Sequence, residues 1–194
     1  MRCSVACGLP ALWLVTDTLR LPDPVAAAAR LPRGAGVLFR HYDHPARAAL
    51  AGRLAALCRH RGLVFLVAGD ARLATQVRAA GLHLPEARMK EATGGAARGC
   101  GLTTAAAHSR AALSRAAALG LDAVFLSPVF ATRSHPGRAG LGAAGFARLA
   151  RGARLPVYAL GGITPANAHA LTASGAAGVA AIEAFYERIK RRST

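Results

Sequence analysis

The stretch Val157-Tyr158-Ala159-Leu160-Gly161-Gly162-Ile163-Thr164-Pro165 decides the fold. Its four apolar residues, one β-branched and one aromatic, read as a buried strand. Two glycines then break the run. Thr164-Pro165 has the form of a helix start, because proline is already set for the first helical position. Strand, glycine turn and helix make one βα unit, and a strand apolar on both faces belongs in a parallel sheet covered by helices.

Working outward, the unit recurs along the chain. Strands are expected over residues 11–16, 36–40, 63–68, 81–84, 99–103 and 123–129 before it, and over 178–182 after it. Helices are expected over 24–31, 45–60, 71–80, 108–119, 146–151, 165–174 and 185–191, with Asp23 and Asp70 as N-caps. Residues 86–97 carry little pattern, and 131–142 form a long loop rich in Gly, Pro, His and Arg. Eight strands, each followed by a connection and with no domain-sized linker, are the signature of a compact α/β single-domain (β/α)8 TIM barrel over residues 1–194, with a short basic C-terminal tail at 186–194. A chain of 194 residues is short for that fold, so several units must be trimmed, the fourth above all. An open doubly wound sheet is the runner-up, but no Gly-x-Gly-x-x-Gly follows the first strand.

Composition narrows the function classes. Hydrophobic residues are 53% of the chain, enough for a sizeable core, and no apolar run approaches the roughly 20 residues of a membrane span. No secretory signal precedes Pro10 and Asp17, so a cytoplasmic protein is expected. The net charge is +16, and every basic residue except Lys90 and Lys190 is arginine. These arginines are scattered, apart from the run Arg188-Ile189-Lys190-Arg191-Arg192, and aromatics are only 5%. A nucleic-acid binder masses its charge and adds stacking aromatics, so the scattered arginine reads first as compositional bias on solvated helix faces; the partners expected are anionic small molecules, with no nucleic acid and no membrane. A homo-oligomer stays open. Cys3, Cys7, Cys58 and Cys100 lack zinc-site spacing and read as free thiols.

In a barrel, chemistry gathers at the carboxyl ends of the strands. The polar groups there are Thr16 and Asp17, Arg40 and His41, Gly69 and Asp70, His83 and Glu86, Thr103 and Thr104, Ser127, Gly161 and Gly162, and Glu183. Gly161 and Gly162 let backbone N–H groups approach a phosphate, with Ala181 and Ile182 of the eighth strand as partners. In Ser127-Pro128-Val129-Phe130-Ala131-Thr132-Arg133-Ser134-His135-Pro136-Gly137, Thr132 and Ser134 offer hydroxyl donors, while Arg133 and His135 offset charge. Arg40 suits a phosphate or carboxylate, or else an ion pair at the barrel end. Strand alternation turns His83 away from Leu82 and Leu84, either into the barrel or under the helices. His108 either reaches the rim or caps its helix.

These segments together resemble the thiamine-phosphate synthase and TenI-type family. The matching stretches are Leu14-Val15-Thr16-Asp17, Val37-Leu38-Phe39-Arg40, Gly81-Leu82-His83-Leu84, Ala107-His108-Ser109, Ser127-Pro128-Val129-Phe130-Ala131-Thr132, Val157-Tyr158-Ala159-Leu160-Gly161-Gly162-Ile163 and Gly175-Ala176-Ala177-Gly178-Val179-Ala180-Ala181-Ile182. The Ser-His-Pro-Gly loop is also similar to the synthase-like domain fused behind Nudix hydrolases. The resemblance implies coupling of hydroxymethylpyrimidine diphosphate with thiazole phosphate to give thiamin phosphate and pyrophosphate, assisted by Mg²⁺. It implies Arg40, Ser127 and His135 as catalytic residues. Thr132, Arg133, Ser134, Gly161, Gly162, Ala181, Ile182, His83 and His108 would bind substrate and phosphate, and Asp70 and Glu86 are what remains of a metal site.

The chain departs from the family pattern at specific places. The Asn-Asp-Arg-x-Asp run after the third strand is replaced by Ala68-Gly69-Asp70-Ala71-Arg72, and Pro85-Glu86-Ala87-Arg88 stands where a second carboxylate ligand belongs. Pro128 replaces the histidine of the tautomerase branch. Arg72 and Arg88 therefore stand where relatives place carboxylates, which implies a site that offsets anionic charge with arginine. A TenI-like binder or regulator of thiamin phosphates, and a barrel acting on an unrelated phosphorylated metabolite, remain as alternatives.

Overall fold

Eight parallel strands pair in chain order and the last closes on the first. They are β1 Leu12–Val15, β2 Gly36–Phe39, β3 Val64–Ala68, β4 Gly81–Leu84, β5 Leu102–Ala107, β6 Ala123–Leu126, β7 Val157–Leu160 and β8 Gly178–Ala181. The structure, a computed structural model, describes residues 8–95, 99–132 and 139–182. The expected last helix, the basic tail, Cys3 and Cys7 lie outside them. The (β/α)8 barrel is the fold that the apolar runs demanded. Strands such as β2 and β6 are buried at every position, as strands with helices outside and packed side chains inside must be.

The helices Pro24–Ala28, Arg47–Arg61, Ala71–Gln76, Arg110–Ala118 and Gly142–Arg151 cover the barrel. Asp23 and Asp70 cap theirs by accepting the N–H of Ala26 and Leu73, as the sequence predicted, and Ser109 does the same for Ala112. None of the helices among the described residues is long and apolar enough to cross a membrane.

The helix expected over 146–151 starts at Gly142, the sixth strand ends at Leu126 and not 129, and three further elements differ more. The fifth strand runs over Leu102–Ala107 and not 99–103, so Thr103 and Thr104 sit inside the strand and its rim is Ala107-His108. Alanine has low strand preference, and the pairing of Thr104 to Ala107 with β6 overrides it. The helix expected over 165–174 shrinks to a 3-10 turn, Ala168–Leu171, entered through a reciprocal pair in which Thr164 N–H donates to Asn167 Oδ1 and Asn167 N–H to Thr164 Oγ1. The fourth connection, expected to be trimmed, is a 3-10 helix over Glu86–Thr93.

The barrel interior is filled by interlocking rings. Trp13 meets Phe125 and Tyr158 edge-on, Phe125 stacks on Tyr158, and His83 meets Phe125 edge-on at 5.2 Å. Trp13 has room because β2 begins with Gly36, where a Cβ would run into the indole. Gly36→Ala should therefore lower stability by roughly 1–3 kcal/mol, the usual cost of overpacking, and a denaturant melt at unchanged m-value checks it.

Candidate functional site

Three groups of polar side chains occupy the carboxyl ends of the strands. After β1 and β2, Thr16, Arg40 and His41 form a relay. Arg40 N–H donates to Thr16 Oγ1 at 3.0 Å, and Thr16 Oγ1 also shares a hydrogen bond with His41 Nδ1 at 2.8 Å. His41 is buried and stacked on Phe39, and burial together with the neighbouring His44 holds its pKa below the ordinary value. This fixes the backbone at Arg40. Among the described residues no carboxylate lies within ion-pair distance of the Arg40 guanidinium. Its charge acts on His83 instead.

After β3, Asp70 does two jobs. Oδ1 accepts Leu73 N–H at 2.9 Å, and Oδ2 takes Arg47 Nη1 at 3.0 Å. Arg47 also donates from Nε to His41 O and from Nη2 to Ala68 O, and lies over the rings of Phe39 and Tyr42. It locks the ends of β2 and β3 together. Arg88 comes in from the fourth connection, with Nη1 on Gly69 O at 2.9 Å and its fork on both oxygens of Glu91 at 2.6 and 2.7 Å. Arg72 is exposed on its helix.

After β4, β5 and β6, Glu86, His108 and Ser127 meet. Glu86 Oε2 accepts the His108 backbone N–H at 2.8 Å. His108 Nδ1 lies 2.7 Å from Ser127 O and 3.3 Å from Ser127 Oγ. A carbonyl only accepts, so Nδ1 carries the proton. His108 therefore does not deprotonate Ser127 through that nitrogen, and the Ser127 hydroxyl is a hydrogen-bond donor and not an activated nucleophile. His83 resolves to the barrel interior, with Nδ1 3.0 Å from Thr104 Oγ1. Burial, with the Arg40 charge nearby, pushes its pKa down to about 3, so it stays neutral at neutral pH.

After β7, Gly161 and Gly162 both adopt the left-handed region, φ 96° and 65°. They pack against the β6 loop: Phe130 N–H donates to Gly161 O, and a Cβ on Gly162 would run into Ala131 O. Asn167 Nδ2 holds Gly162 O at 2.9 Å. The carbonyls are thus tied down, while among the described residues no loop hydrogen bond uses the N–H of Gly161, Gly162 or Ile163. Ala181 ends β8 and Ile182 follows it, both buried. This arrangement can cradle an anion. Thr132 is described and half-buried; Arg133, Ser134, His135 and Glu183 lie outside the described residues.

The donor set does not fit the Mg²⁺ that the resemblance implies. Asp70 has both oxygens on protein donors, and Glu86 has one on a backbone amide at a different part of the rim. Among the described residues no three His, Cys, Asp or Glu side chains group to hold a metal. A hard cation needs several oxygens with free lone pairs converging on one point.

Sequence reasoning placed His41 at the rim without giving it a role, and it did not single out Arg47. The signal for Arg47 was its place in the first turn after Pro45, beside the rim.

The class is therefore a parallel (β/α)8 barrel with its polar side chains and a diglycine turn at the carboxyl-end mouth. The family model of thiamine monophosphate synthase matches residues 13–185, and the chain belongs to that family. The thiamine-phosphate synthase of Thiobacillus denitrificans is 38% identical over 178 residues, covering 88% of this chain and 82% of the relative. That of Bordetella pertussis is 40% identical over 189 residues, covering 93% and 86%. The solved thiamine phosphate pyrophosphorylase of Pyrococcus furiosus shares the fold, with a TM-score of 0.75 at 24% identity and 94% of each chain covered.

Proposed function

We propose that the protein performs a thiamine-phosphate synthase reaction, joining hydroxymethylpyrimidine diphosphate to thiazole phosphate. The C–O bond between the pyrimidine methylene and the diphosphate breaks, and pyrophosphate leaves with the electron pair. The thiazole nitrogen lone pair then forms the new C–N bond. Such a step is promoted by stabilising the leaving charge and by aligning the two rings.

The observation that carries this reading is the diglycine turn after β7. Its carbonyls are held by Phe130 and Asn167 while its N–H groups are left for an anion. It would seat the thiazole phosphate, together with the N–H groups of Ala181 and Ile182. Arg40 faces the diphosphate, Ser127 donates its hydroxyl, and Thr132, Arg133, Ser134 and His135 would close over the anion. His83, neutral, lies in the barrel interior within the field of Arg40, and His108 holds Ser127. Calorimetry with thiazole phosphate and with the unphosphorylated thiazole alcohol tests the cradle. The phosphate should bind at least about tenfold tighter, given charge-assisted hydrogen bonds of this kind. Equal affinities would remove the cradle from the account.

The commitment of Asp70 and Glu86 to protein donors favours one second reading, a binder of thiamin phosphates without turnover. Product formation separates the two.

A further inference from the structure

We infer that the diphosphate end of this mouth takes its anion without a divalent cation, using the guanidinium groups of Arg40 and Arg88 on a rim locked by Arg47; this rests on the reading above.

The connections after β2, β3 and β4 bring three guanidiniums, Arg40, Arg47 and Arg88, to the rim; of the carboxylates there, Asp43 is exposed, Glu86 accepts the His108 N–H, and Glu91 pairs with Arg88. Asp70 is occupied twice, by its helix cap and by Arg47. Arg47 is occupied three times, so the pair is a fixed strut and not a ligand waiting for metal. Next to it, Gly69 has no side chain to offer. A Cβ there would point at Tyr42 Cε1, 3.2 Å away, and Arg88 Nη1, 3.5 Å away. The space a ligand side chain would use is thus covered by a cation and a phenol ring, and the same Arg88 nitrogen is held by Gly69 O. A divalent cation brought here would meet the Arg47 and Arg88 charges and an Asp70 whose two oxygens are already taken.

A diphosphate would meet the opposite. Arg40 has no carboxylate partner among the described residues. Arg88 is paired with Glu91, but both side chains are about half exposed, 47% and 49%, so that pair is weakened by solvent. A multiply charged anion competes with Glu91 for the fork, which matches phosphate oxygens in pairs.

The test is calorimetry of inorganic pyrophosphate against the full chain in chelator and in Mg²⁺, with thiamin phosphate run in the same buffers. Saturable pyrophosphate binding in chelator is expected, with Mg²⁺ giving no gain. Arg88→Ala should weaken it by about tenfold, the loss of roughly one charge-assisted contact, and Arg88→Lys by less. Circular dichroism melts establish that each variant is folded, and the comparison of chelator with Mg²⁺ stands on the parent protein alone. Pyrophosphate binding that requires Mg²⁺, no binding in either buffer, or Arg88→Ala binding as tightly as the parent would each overturn the inference. Where thiamin phosphate still binds, only this inference falls. Where neither binds, the synthase reading falls with it.

Discussion

At the scale of single residues, His83 ties the interior to the rim. It is fully enclosed among Phe125, Thr104 and the field of Arg40, and its pKa is pushed down to about 3 from an ordinary 6.5. Protonation then favours the unfolded chain. Stability from this group is complete above 6.5 and is lost as pH falls from there toward 3, by up to about 1.4 kcal/mol per pH unit. His83→Gln, which does not titrate, should show a flatter melting temperature between pH 6.5 and 4 than the parent. The same slope in both proteins would contradict the burial argument. Burial also pushes the Cys58 thiol up to about 12, so it should resist alkylation in the native state and react only on unfolding. Rim groups that end a strand, such as Arg40, Ser127 and Gly161, were legible as rim positions. Arg47 was not, because its role depends on Asp70, 23 positions away, and no local pattern records that pairing.

At the scale of elements, the short helix Ala71–Gln76 depends on Asp70, which caps it and anchors Arg47 from the preceding helix. Asp70→Ala should cost roughly 1–2 kcal/mol from the cap, and Asp70→Asn less, since an amide oxygen still accepts Leu73 N–H. Chemical denaturation of the three proteins reads this order. A metal role for Asp70 would show instead as Mg²⁺ raising the parent's stability and not the variants'. The periodicity of the chain placed the caps and most strands to within a residue or two. It failed at β5 and at residues 165–174. Alanine is the commonest residue in both, and there tertiary pairing decides what local preference leaves open.

At the scale of the whole molecule, eight short strands close a barrel that turns one rim to chemistry. Around β2 to β4 that rim carries Arg40, Arg47 and Arg88, with both oxygens of Asp70 held by protein donors. Among the described residues eight arginines besides Arg47 stand on the α-helices, and at the rim the structure makes a guanidinium strut at β2–β4 and an Arg40 with no carboxylate partner. The barrel was legible from the eightfold repeat of apolar runs. The family was legible from the order of the motifs. The division of labour at the rim was not, since it rests on which donor meets which acceptor across strands. The most direct test is to mix the protein with hydroxymethylpyrimidine diphosphate and thiazole phosphate and to quantify thiamin phosphate and pyrophosphate by mass spectrometry, in Mg²⁺ and in chelator. The account predicts equal amounts of both products, formed in chelator as well as in Mg²⁺. Thiamin phosphate at or below the protein-free control in both buffers would contradict it.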